Sequence, residues 1–136
     1  VLSDQRFAQL SAGLEHTCGV SEEARLWCWG SNTFGQLGAG LGAGAAASAV
    51  PVEVALAGGA PVAWAAASAG AYHTCALTTA GAAFCWGANA YGQLGTGAAS
   101  AEPLPPTAVN GTWAAVSAGE QFTLAIDAAS AELYGW

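Results

Sequence analysis

Two histidines and four cysteines stand at spacings where they could do chemistry together. His16, Cys18 and Cys28 recur as His73, Cys75 and Cys85, each 57 positions later (73 − 16, 75 − 18, 85 − 28). Residues two apart on a strand share one face, so His16 lies with Cys18 and His73 with Cys75. Three chemistries fit. The cysteines could form a disulfide within each set, remain as buried reduced thiols, or join the histidine at a metal. Zinc takes four ligands at tetrahedral geometry, and each set supplies only three. The elements that carry these residues decide among the options.

Those elements repeat. Ser68-Ala-Gly-Ala-Tyr-His73-Thr-Cys75-Ala-Leu77, Phe84-Cys85-Trp86-Gly87 and Tyr91-Gly-Gln-Leu-Gly95 have an earlier copy. It runs Ser11-Ala-Gly-Leu-Glu-His16-Thr-Cys18-Gly-Val20, Trp27-Cys28-Trp29-Gly30 and Phe34-Gly-Gln-Leu-Gly38. A third copy opens at Ser117-Ala-Gly-Glu-Gln-Phe122-Thr-Leu124 and reaches Leu133-Tyr134-Gly135-Trp136. A period near fifty residues marks a repeat architecture whose units bury their cores against neighbours. The expected units span approximately residues 6–62, 63–112 and 113–136, the last truncated. Gly38 to Ser68 is 30 positions (68 − 38) but Gly95 to Ser117 only 22 (117 − 95). The difference falls in the low-complexity stretch Ala39–Ala49, which predicts a flexible surface loop.

Within the second unit, Tyr72–Leu77 predicts a short strand and Ala82–Trp86 its partner, with Thr78-Thr-Ala-Gly81 as the turn. A glycine-punctuated loop follows over Gly87–Gly97. Pro103 to Val109 is an extended segment of the edge type, where proline is tolerated. Several short strands per unit predict an all-β chain and a propeller blade. In that hairpin Cys75 faces Cys85, Ala76 faces Phe84 and Leu77 faces Ala83, so both sulfurs point to one side of the sheet. The third unit has Leu124 and Gly135 at the two cysteine positions, a joint loss that a bonded pair predicts. Such a cross-strand bond is worth about 2–3 kcal/mol in the chain-entropy account. Reduced thiols remain the alternative.

The 136 residues carry nine acidic groups against two arginines and no lysine, a net charge of −7. Nucleic-acid binding needs clustered basic residues, and an anionic membrane surface would repel this chain. The apolar content is largely alanine and glycine, and no run of strongly apolar residues is long enough for a transmembrane helix. No basic, apolar signal peptide opens the chain, although a cleaved one leaves no trace. Position 1 is Val and the last unit stops within a hairpin, so the sequence is expected to be a piece of a longer protein.

The combination Ala-Gly-x-x-His-Thr-Cys-Ala-Leu, Cys-Trp-Gly-x-Asn and Tyr-Gly-Gln-Leu-Gly resembles the repeat of the regulator of chromosome condensation family, over essentially the whole chain. That resemblance implies a seven-bladed β-propeller of four-stranded antiparallel blades, of which about two and a half are present. The two-cysteine form resembles repeats of secreted proteins and of crinkly-type receptor ectodomains. The third unit departs from it at Phe122, Leu124 and Gly135. The family's founding member is an exchange factor that binds chromatin through basic segments with no counterpart here. Its ultraviolet photoreceptor carries Gly-Trp-Arg-His-Thr where this chain has Gly70-Ala-Tyr-His73-Thr and Gly13-Leu-Glu-His16-Thr. The tryptophans, recurring at Trp29, Trp86 and Trp136 and at Phe7, Trp64 and Trp113, are therefore expected to be blade core.

No nucleophile elbow, phosphate loop or paired carboxylates are found, so no enzyme, no catalytic residue, no cofactor and no metal are expected. His16 and His73 are assigned a shared structural role, such as hydrogen bonding to neighbouring backbone. Glu22, Glu23 and Asp127, near hairpin turns, are expected to be solvated charge. Asn110-Gly111-Thr112 is an acceptor sequence for N-linked glycan in turn chemistry. The functional expectation is a disulfide-stapled, extracellular or cell-surface structural or recognition module. It would bind protein or glycoconjugate partners, without nucleic acid or membrane insertion. The alternative is an intracellular propeller of exchange-factor or scaffolding type with reduced cysteines.

Overall fold

Short strand-forming runs alternate here with turns that demand a left-handed residue, and that alternation produces hairpins rather than helices in spite of the alanine content. A computed structural model describes residues 4–40, 44–59 and 61–136. Its elements are β1 (Phe7–Ala12), β2 (His16–Ser21), β3 (Leu26–Gly30), β4 (Ser48–Glu53), β5 (Trp64–Ala69), β6 (His73–Thr78), β7 (Ala83–Asn89), β8 (Ser100–Val109), β9 (Trp113–Ala118), β10 (Thr123–Asp127) and β11 (Leu133–Gly135). They form two four-stranded sheets, β1-β2-β3-β4 and β5-β6-β7-β8, and one three-stranded sheet, β9-β10-β11. Every pairing is antiparallel.

The hairpin register agrees with the cysteine spacing. Cys75 faces Cys85, Ala76 faces Phe84 and Leu77 faces Ala83. Cys18 faces Cys28 in the first sheet, and Leu124 faces Gly135 in the third. At the β6–β7 turn Gly81 has φ +83°, and Thr78 N donates to Ala82 O at 2.9 Å. The matching residue of the first turn is Ala24, at φ +60°, with Ser21 N donating to Arg25 O at 2.8 Å. The first unit thus holds an alanine in a conformation that suits glycine.

The long segment before β5 differs in part from a plain loop. Ser48 and Ala49, at the end of the expected loop Ala39–Ala49, belong to β4 and accompany Pro51 on the sheet's outer edge. Pairing of Gly30 with Ser48 draws them in. Residues 41–43 of that stretch lie outside the described residues.

The cores lie between sheets. Cys18 and Cys28 of the first sheet pack with Trp64, Ala67, Ala76 and Trp86 of the second. Cys75, Cys85 and Leu94 pack with Trp113 and Ala125 of the third. Each sheet therefore buries one face against the next, as stacked repeat units must. The tryptophans are not uniformly core. Trp86 is fully buried, whereas Trp27, Trp29 and Trp136 are half-buried. Trp27 keeps its indole nitrogen buried and carries the Arg25 guanidinium 4.9 Å from its ring centroid.

Candidate functional site

Polar residues of the repeated motif converge at the junctions between sheets. The loop after β3 is tied to itself first. Asn32 Oδ1 accepts from Leu37 N at 3.1 Å, and Gln36 Oε1 accepts from Phe34 N at 2.8 Å. Those two bonds hold Gln36 with its carbonyl aimed at the second sheet. That one oxygen accepts from Thr74 Oγ1 at 2.8 Å and from Trp86 Nε1 at 2.8 Å. The next junction repeats part of this: Asn89 and Gln93 tie the loop, and Gln93 O accepts from Thr123 Oγ1 at 2.8 Å.

The histidines complete each junction. His16 Nε2 lies 2.8 Å from Thr74 Oγ1, and His73 Nε2 lies 2.9 Å from Thr123 Oγ1. A threonine hydroxyl has one proton, and both threonines direct it to a glutamine carbonyl. The imidazoles must therefore be the donors, which assigns Nε2–H and leaves Nδ1 bare. Among the described residues neither buried Nδ1 has a hydrogen-bond partner, as a neutral ring in this tautomer allows. Burial pushes the pKa of His16 from 6.5 to about 4, with a smaller contribution from His73, and burial alone pushes His73 to about 4. The partner of each histidine is thus a hydroxyl on the following sheet rather than neighbouring backbone. The imidazole reaches across to that sheet, and its hydroxyl is the group that stands opposite.

Small residues let the sheets approach. A Cβ on Gly38, at φ +63°, would sit 2.5 Å from Trp86 Nε1, and one on Gly95, at φ +69°, would sit 2.6 Å from the Trp136 ring. Gln9 adds a second link across the first junction, exchanging bonds with Ala67 N at 3.0 Å and Ala67 O at 2.9 Å. The Gly-Gln-Leu-Gly run was visible as a motif. Its function as a carbonyl-presenting latch, and the role of Thr74 and Thr123, were not. The His-Thr dipeptide was the available signal, since His73 and Thr74, the threonine that receives His16, are neighbours in the second unit.

Cys18 is bonded to Cys28 and Cys75 to Cys85, with Cα atoms 4.1 Å apart in both. All four cysteines are fully buried, and their bonded sulfurs are no longer thiolates that a zinc ion could use. Asp127 does more than face solvent: its Oδ1 accepts from Ala129 N, Ser130 N and Ser130 Oγ. Those bonds, chiefly from Ser130, hold its carboxyl below the usual range. Glu22 and Glu23 are exposed at the β2–β3 turn. Asn110, Gly111 and Thr112 are exposed between β8 and β9.

One apolar cleft opens on the outer side of the first junction. It measures about 260 Å³ and is walled by Phe34, Gly38, Pro103, Leu104, Pro105 and Pro106. Tyr91, the counterpart of Phe34 in the second unit, is 68% exposed. The inner strands and their turns present no cluster of metal-binding side chains among the described residues.

Sheets of this size, packed face to face and latched strand by strand at each junction, define a segment of a β-propeller. The regulator of chromosome condensation (RCC1) repeat matches residues 23–77 and 80–126, and a second form of it matches residues 7–36 and 64–93. The chain belongs to the RCC1 repeat family. It is 35% identical over 94 residues to the probable E3 ubiquitin-protein ligase HERC4 of Rattus norvegicus, covering 69% of this chain and 8% of that protein. The solved structure of Prp20p from Saccharomyces cerevisiae superposes with a TM-score of 0.82 at 22% identity, over 96% of this chain and 33% of that one. The ectodomain of the Physcomitrella patens receptor kinase CR4 gives a TM-score of 0.61 at 20% identity, over 100% of this chain and 31% of that one. The chain spans a third or less of the length of each.

Proposed function

We propose that this chain is part of an extracellular or cell-surface propeller that acts as a non-catalytic structural or recognition module. It would bind protein or glycoconjugate partners through loops that differ between blades. The observation that carries this reading is the pair of buried disulfides at equivalent places in two blades. Cysteines arranged this way suit an oxidising compartment, and they serve as staples rather than catalytic groups. Units at about 6–62, 63–112 and 113–136 would each contribute one set of loops. Exposed Asn110 supplies a glycan acceptor on the connection between the second and third units, in keeping with passage through a secretory route. Likeness to a receptor ectodomain supports the same reading at the level of fold. The test is peptide mapping without reduction, with glycopeptide analysis, on protein from its native source. Linked Cys18–Cys28 and Cys75–Cys85 peptides support it; four free thiols with bare Asn110 overturn it.

A second reading is an intracellular propeller of exchange-factor or scaffolding type. The 35% identity to a probable ubiquitin ligase favours it, as does the likeness to Prp20p, a protein studied for binding to Gsp1p and histones. The net charge of −7 weighs against direct contact with nucleic acid.

A further inference from the structure

The chain has three asparagines, at positions 32, 89 and 110, and they differ in one chemical respect. Asn32 and Asn89 are 2% and 1% exposed. Each engages its side-chain carbonyl, with Leu37 N at 3.1 Å and with Leu94 N at 3.2 Å. Asn110 is exposed in the bend after β8, and the residue after it is an exposed glycine at φ +117°. Glycine has no side chain to shield its amide nitrogen, and the bend leaves the segment outside the β8 ladder, which ends with Val109 facing Ala83.

We propose that Asn110-Gly111 is a site of spontaneous succinimide formation, through which Asn110 converts to aspartyl and isoaspartyl forms in the folded protein. The deprotonated amide nitrogen of Gly111 attacks the side-chain carbonyl carbon of Asn110. A new C–N bond closes the five-membered ring, the C–Nδ2 bond breaks, and the amide leaves as ammonia after taking up a proton. Water then opens the ring at either carbonyl. One opening restores the ordinary backbone with an aspartate side chain. The other routes the backbone through the side-chain carbon and adds one methylene to the main chain. No oxidant, reductant or enzyme is required.

The position gives the reaction a structural consequence. Trp113 opens β9, its amide donates to Gly81 O at 2.8 Å, and it is 7% exposed within the second junction. An isoaspartyl linkage three positions earlier changes the reach of the chain that delivers Trp113 to that slot. It also adds a negative charge to a chain that already carries −7. The nitrogen expelled as ammonia is the one that would carry a glycan, so a converted Asn110 can no longer be glycosylated. The proposal goes beyond the extracellular reading and stands on the bend alone.

The test uses the full-length protein made in a host that lacks N-glycosylation, held folded in mildly alkaline buffer prepared with heavy-oxygen water. Peptide mapping follows the mass gain and the isotope label at each asparagine, and chromatography separates the two products. The expected result is labelled, mostly isoaspartyl product at Asn110, with Asn32 and Asn89 intact. Replacement Asn110→Gln, which cannot close a five-membered ring, is expected to abolish the product while folding is retained by circular dichroism. Two results overturn the proposal. One is an unmodified Asn110 after an interval that half-converts an unstructured peptide of residues 106–114. The other is conversion of Asn110 only after denaturation.

Discussion

His16 donates through Nε2 to the hydroxyl of Thr74, 58 positions away and one sheet further on, at 2.8 Å. Thr74 in turn donates its hydroxyl hydrogen to Gln36 O, in the loop after β3. The bond chain thus leaves the first unit, enters the second and returns. His73 and Thr123 repeat it across the second junction.

Thr74→Val keeps shape and removes that relay. It strands the His16 donor in a buried site, and Gln36 O keeps only Trp86. A loss of about 1–3 kcal/mol is expected, read by denaturant unfolding of the full-length protein, with Thr74→Ser restoring most of it. A neutral Thr74→Val would mean that the hydroxyl is not the acceptor.

Acid should loosen the junctions. Both histidines have folded pKa values of about 4 against an ordinary 6.5. Between those values the unfolded chain binds protons that the folded chain does not. Stability is therefore full above about pH 6.5, declines as the pH falls, and stops declining from this source below about pH 4. Each histidine accounts for about 3 kcal/mol at the limit. The double replacement His16→Gln/His73→Gln should flatten the unfolding free energy over that window, and an unchanged slope would exclude these histidines as its origin.

Removing one staple tests the hairpins. Cys75→Ala/Cys85→Val is expected to cost about 2–3 kcal/mol, and mapping of the parent should recover only Cys18–Cys28 and Cys75–Cys85. A bond between the two sets contradicts the register.

Gly38→Ala and Gly40→Ala share a left-handed backbone, at φ +63° and +71°, but only Gly38 has Trp86 against it. Gly40→Ala should cost about 1 kcal/mol from strain alone. Gly38→Ala should cost at least about 2 kcal/mol because overpacking is added. Equal losses would show that the tryptophan does not seat there.

Ala24→Gly should stabilise the first hairpin by up to about 1 kcal/mol, because Ala24 adopts φ +60° where the second unit has Gly81. Thermal unfolding of the single variant measures it, and a lower midpoint would count against a strained turn.

The repeats, the hairpin register and the cysteine pairing were legible in the sequence because each follows from local spacing. A strand alternates every two residues, and a ten-residue cysteine separation admits one facing arrangement around a short turn. Asn110 was legible as a turn residue for the same reason. The partner of His16 and the use of Gln36 O as a shared acceptor were decided only by how the sheets stack. Those contacts join residues some 38 to 58 positions apart. They depend on the tilt and distance between whole sheets, which interfacial packing sets and strand periodicity does not encode. Identical motif residues consequently acquire different surroundings: Trp86 is covered by the Gln36–Gly38 loop, while Trp29, its counterpart in the first unit, has no described sheet before it.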